Sequence, residues 1–147
     1  MTSYAVVADV QALIPEFTIG AATEPSTSQV EDFITQHEGE INGILTAQGY
    51  DSVPATGSND VALLAGYVSR KVAALTWVTA FLDDDPPWKV KDWTESYRNF
   101  LNRLRQGQQH LVDQLPQGDD GPVCGIVRHP TRDNYFTERG GTTDWDE

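Results

Sequence analysis

The strongest constraint in this sequence is apolar periodicity at the helical repeat. Val30, Phe33, Ile34, His37, Ile41, Ile44 and Leu45 fall at i, i+3, i+4, i+7, i+11, i+14 and i+15. That is one face of a helix about five turns long. Val61, Leu64, Ala65, Val68, Val72, Leu75, Thr79 and Leu82 repeat the pattern, and Tyr67, Ala74, Val78 and Phe81 add a second apolar face. A helix apolar on two sides belongs in the middle of a bundle. Trp93, Tyr97, Phe100, Leu101 and Leu104 mark a third long helix, and Val10, Leu13 and Ile14 mark a short one over residues 9–14, stopped by Pro15.

Local signals suggest where these helices begin and end. Asp9 can cap the first. Ser28 with Glu31 reads as a capping box for the second, and Gly49 as its C′ residue. Ser58 caps the third, and the run Asp83, Asp84, Asp85 ends it. Asp85 then caps the fourth, with Pro86 in its first turn, where a missing N–H costs nothing. Gly107 breaks that helix, with a last turn or two expected to run to Leu115. Gly39 and Gly43 lie inside the second helix, off its apolar stripe. Each costs about 1 kcal/mol relative to Ala, as a tolerated weak position or as a place where a neighbouring helix or subunit comes close.

After Pro116 the composition changes. The last 32 residues hold three prolines and five glycines, with two short β-like runs at 123–128 and 134–137. This is too little apolar surface for a domain. The expected organisation is a helical domain over 1–115 and an extended C-terminal arm over 116–147. The fold class is all-α: a small bundle of three main helices plus a short N-terminal helix, with short β-strands possible in the arm.

Charge excludes some functions. The 147 residues carry a net charge of -12, unsuited to a protein whose main task is gripping nucleic-acid phosphates with Lys and Arg. The distribution is uneven: residues 1–57 contain eight acids and no Lys or Arg, and the first base is Arg70. The single cysteine, Cys124, excludes a disulfide framework and multi-Cys metal sites. Met1 to Val10 lacks the positive and apolar regions of a signal peptide. The uncharged apolar run 72–82 is too short to span a bilayer and reads as core. A soluble, cytosolic acidic domain is expected.

Catalytic chemistry is hard to find. His37 lies on an apolar helical face, and His110 and His129 have no second ligand at helical spacing. No phosphate-binding glycine loop, GxSxG or HExxH is present. All-α nucleotide pyrophosphohydrolases hold Mg²⁺ with paired acids on two helices. Here Glu31 and Glu38 are seven apart and the next helix offers only Asp60, so that site is not completed. Lys91, Arg98 and Arg105 form a basic stripe at i, i+7 and i+14, which is either a solvated face or a patch that meets acids on another subunit.

The motif order resembles the head-to-tail connector (adaptor, or head-completion) proteins of long-tailed bacteriophages. The resemblance rests on Ala8-Asp9-Val10-Gln11-Ala12-Leu13-Ile14-Pro15, on Gln29-Val30-Glu31-Asp32-Phe33-Ile34, and on Glu40-Ile41-Asn42-Gly43-Ile44-Leu45 with Gln48-Gly49-Tyr50. The Ala-rich helix carrying Ala73, Ala74, Trp77 and Phe81 follows. It covers residues 6–106, roughly, and consists of helix faces rather than catalytic signatures.

The resemblance implies a non-enzymatic virion protein without cofactor or metal, assembled in the host bacterial cytoplasm. Such proteins form a ring of about twelve subunits at the virion neck, between the portal protein and a tail-side connector or tail terminator protein. The ring extends the DNA channel, through which DNA passes without specific binding, and gives the tail its docking surface. No membrane is involved.

Two contacts are expected on that basis. Glu31, Asp32, Glu38 and Glu40 would face Lys91, Arg98 and Arg105 of the next subunit. Arg128, Arg132, Tyr135 and Phe136 in the arm would anchor on the portal or a neighbouring ring. The competing expectations are a small helical protein-binding regulator and, further off, an all-α metal-dependent nucleotide pyrophosphohydrolase.

Overall fold

The computed structural model describes residues 3–116. They form four helices, α1 (Val7–Leu13), α2 (Thr27–Ala47), α3 (Ser58–Ala80) and α4 (Trp88–Arg105), and these residues contain no β-strand. The all-α expectation holds over this region. The expected arm strands and the anchors Arg128, Arg132, Tyr135 and Phe136 lie outside the described residues.

Helix α3 packs against each of the other three, while α2 also touches α1 and α4. Its central place follows from its two apolar faces. Leu64, Val68, Val72 and Ala73 are fully buried, and Trp77 nearly so. Around them pack Val30, Ile34, Ile41 and Leu45 of α2, and Val90, Phe100, Leu101 and Leu104 of α4. Each such aliphatic or aromatic burial contributes about 1.5–3 kcal/mol. Tyr67 stacks on Phe100 with ring centroids 4.0 Å apart. By length and composition α3 could cross a membrane, a longer span than the apolar run 72–82 indicated. Arg70 and Lys71 interrupt it near its middle, and much of its apolar surface goes into the bundle core.

The helix starts differ from the sequence expectation. Helix α1 begins at Val7, with Asp9 in its third position accepting the Val6 N–H (3.0 Å) rather than standing at the cap. Helix α2 is capped by Ser26, not Ser28. Ser26 Oγ accepts the Gln29 N–H (3.4 Å) and Gln29 Oε1 accepts the Ser26 N–H (2.7 Å), so the capping box is two residues earlier. Helix α4 starts at Trp88 after Pro87, and Asp85 instead takes the Lys91 ammonium (3.0 Å). Helix α3 has Gly57 at its cap, with no side-chain bond of its own. Its free N–H groups are met from far along the chain by Asp113 (2.9 Å to Asn59, 3.3 Å to Asp60).

The helix ends also shift. Helix α3 stops at Ala80, which leaves Leu82 79% exposed although the periodicity places it on the core face. Gly49 and Gly107, with φ of +81° and +67°, close α2 and α4 as expected. No further turn follows to Leu115. Residues 107–116 instead fold back along α3 and the 50–56 loop. Leu111 is buried there, its N–H donating to Tyr50 Oη (3.3 Å), and Gln114 donates to the Ser52 carbonyl (3.1 Å). Gly39 and Gly43 are exposed, and a Cβ at either position would meet no atom within 4 Å, so no part of the described chain approaches them closely.

Candidate functional site

The basic stripe of α4 does not act as one unit. Lys91, at its N-terminal end, is bound by Asp85. Arg105, at its C-terminal end, reaches across to α2, where its Nη2 lies 3.3 Å from Glu40 Oε1. Arg98 between them is exposed and makes no ion pair or hydrogen bond among the described residues. One pairing expected between subunits, Glu40 with Arg105, is therefore made within a single chain.

Glu40 is the hub of a polar cluster. Its Oε2 accepts from Tyr97 Oη (3.2 Å) and stands 3.5 Å from His37 Nδ1. Tyr97 Oη also lies 3.4 Å from the His37 carbonyl, and its ring meets the imidazole edge-on at 5.3 Å. Burial and the Glu40 charge push the Tyr97 phenol far above its ordinary value. His37 is only 8% exposed, and neither ring nitrogen makes a hydrogen bond. Burial lowers its pKa more than Glu40 raises it, so near neutral pH the ring is uncharged.

Lys71 of α3 closes the site from the third side. Its ammonium is half-buried, and its pKa is lowered first by that burial and then by repulsion from Arg98, against the pull of Glu40. Lys71, Arg98, Arg105 and His37 thus line one open cleft of about 290 Å³ between α2, α3 and α4, with Glu40 as its single carboxylate. Past Thr94 and Arg98 the cleft continues into a second hollow of about 470 Å³ bounded by Val78, Pro86 and Val90 together with Lys91 and Glu95. Cations gathered in a partly desolvated groove, beside a hollow that includes Val78, Pro86 and Val90, suit a ligand that carries both acid and apolar groups.

The remaining expected interface acids separate. Glu38 is used inside the chain: its Oε1 accepts from the N–H of Tyr4 (2.6 Å) and Ala5 (3.1 Å) and from Ser3 Oγ (2.8 Å). Glu31 and Asp32 are exposed on α2. Lys71 falls outside the heptad stripe of α4 and joins the basic group only through α3–α4 packing, so spacing along one helix does not reveal it. Among the described residues no group of three His, Cys, Asp or Glu side chains could hold a metal ion.

A second surface stands out at the α3–α4 turn. Leu82 and Trp88 are 79% and 80% exposed, and between them lie the exposed Asp83, Asp84 and Asp85. No protein-family model, curated protein or solved structure matches this chain.

Proposed function

We propose that this chain is a structural component of a phage neck: a connector subunit that forms a ring between the portal and the tail-side proteins. It would extend the DNA channel and give the tail its docking surface. The observation that carries the reading is the ordered series of helix motifs from Ala8 to Phe81, which resembles that family. On this reading the role is non-enzymatic and the site of action is the virion neck. DNA passes the ring without specific binding, which a strongly acidic protein favours by repelling phosphates.

Two features of the geometry support it. Large apolar side chains held in water, as Leu82 and Trp88 are, mark contact surfaces. An acidic surface and a cationic cleft at different places on one subunit suit heterologous contacts, in which one face meets a different face of the next copy and rotation closes a ring. The arm beyond residue 116, with Arg128, Arg132, Tyr135 and Phe136, would dock on the portal or a neighbouring ring.

Negative-stain imaging of the purified chain tests the reading. Annular particles with a central opening are expected. Monomers or two-fold dimers at every concentration, with or without a portal ring, would contradict it and favour a small helical regulator.

A further inference from the structure

Seven Lys and Arg residues lie in the described region. Lys89 is held by Glu16 and Lys91 by Asp85. Three of the remaining five, Lys71, Arg98 and Arg105, converge on one cleft whose only carboxylate is already shared among Arg105, Tyr97 and His37. Like charges are thus brought together without enough acid to balance them. His37, 8% exposed and 3.5 Å from Glu40 without a hydrogen bond on either ring nitrogen, lines the same cleft. The arrangement lacks an acid from outside.

We infer that the 82–88 segment of one copy docks in this groove of a second copy, Asp83 and Asp84 meeting Lys71 and Arg98, and Leu82 and Trp88 covering Val78 and Val90 in the adjoining hollow. This deepens the ring reading and rests on it. The donor segment matches the groove in both respects. The Asp83 and Asp84 side chains have no partner among the described residues, whereas Asp85 is committed to Lys91. Leu82 and Trp88 supply apolar surface beside those charges, and Trp and Arg carry a disproportionate share of interface energy. Val78, itself 42% exposed, lies in the hollow that would receive them.

Glu31 and Asp32 fit the groove less well. The exposed residues around them on α2 are Ser28, Gln29, Thr35 and Gln36, and the nearby exposed apolar side chain, Val6, is smaller than Leu82 or Trp88. The cationic cleft contains no residue of the 82–88 segment, although the hollow beside it includes Pro86, so each copy can give one and receive one. That is the head-to-tail geometry a ring requires.

Zero-length carbodiimide cross-linking tests the contact. Full-length chains labelled with ¹⁴N and ¹⁵N are mixed, allowed to assemble and joined between amines and touching carboxylates. Native mass of the same sample reports the assembly state. The expected product is a mixed-label peptide linking Lys71 to Asp83 or Asp84. Assemblies whose mixed-label links join Lys71 to Glu31, Asp32 or other acids, or that lack a Lys71 link, would overturn this contact and leave the ring reading standing. Absence of any assembly, with or without a portal ring, would overturn both.

Charge exchange gives a second measure. Lys71→Glu with Arg98→Glu, and Asp83→Arg with Asp84→Arg, should each lose assembly, and the four changes together in one chain should restore it. If the combined variant stays unassembled while each variant keeps the wild-type helical signal, the contact is wrong.

Discussion

Asp60 and Asp113, fifty-three residues apart, each cap the backbone that carries the other. The buried Asp60 carboxylate accepts the N–H groups of Val112 (2.5 Å) and Asp113 (3.0 Å). In return Asp113 accepts those of Asn59 (2.9 Å) and Asp60 (3.3 Å), and its second oxygen accepts from Asn59 Nδ2 (2.8 Å). The exchange fixes the start of the central helix and secures residues 107–116 against it. Gly57 belongs to the same device: a Cβ there would overlap Asp113 Oδ2 and Cβ.

Removing Asp60 should therefore loosen two segments at once. Asp60→Ala leaves two N–H groups without their acceptor and should cost about 1–3 kcal/mol, read as a lower urea midpoint. Gly57→Ala should displace Asp113, so Gly57→Ala and Asp113→Gly, which removes every side-chain atom of the clash, should be strongly non-additive in a double-mutant cycle. Additive losses would show that Gly57 and Asp113 act separately.

Asp113 also sets an acid limit. The Asn59 side chain first, then the Asn59 and Asp60 N–H groups, hold its carboxyl below the usual value. A lowered folded-state pKa gives stability that is present above the unfolded value of about 3.9 and is lost as pH falls through the lower folded value. Asp113→Ala should flatten stability against pH in that window. An unchanged acid slope would argue that the cap carries no charge-dependent stability.

His37 should add a second, milder slope at higher pH. Its folded pKa is lowered by burial, so below about pH 6.5 the unfolded chain binds the proton more readily than the folded one. Stability is full above that pH and falls as pH drops through the unfolded and then the folded value. His37→Gln should remove this component, measured by denaturant midpoints from about pH 5 to about pH 7, the range that brackets an ordinary histidine. Persistence of the slope in the variant would assign it elsewhere.

Glu38 should behave as a structural clasp rather than a contact residue. Glu38→Ala removes three hydrogen bonds to residues 3–5, of which Tyr4 and Ala5 are buried. A loss of about 1.5–3 kcal/mol is expected for bonds to a charged acceptor, with faster amide exchange at Tyr4 and Ala5. Unaltered exchange at these two amides would contradict the clasp.

Much of the fold is legible in the sequence because the apolar stripes are long. Val30 to Leu45 and Val61 to Val72 mark helical faces, and the residues at their centres, Ile34, Ile41, Leu64 and Val68, are buried. Helix starts are less legible. The true capping box at Ser26 competes with an equally plausible Ser28 and Glu31 two residues on, and the α3 cap arrives from Asp113, a partner no local window contains. The site is only partly legible for the same reason. Arg98 and Arg105 announce themselves at heptad spacing, but Lys71 and His37 reach the cleft through packing of α2 and α3 against α4. Leu82 departs from its expected core position because the apolar period runs past the point where the backbone leaves the helix.

Native mass measurement across a wide concentration range, with and without a portal ring, decides whether the chain closes into a ring. Each chain weighs 16.2 kDa. The account predicts one closed species at a fixed multiple of that mass, which stops growing as concentration rises because heterologous contacts have closed a ring. A monomer or dimer at all concentrations, with or without a portal ring, or a continuous ladder without an end point, would contradict it.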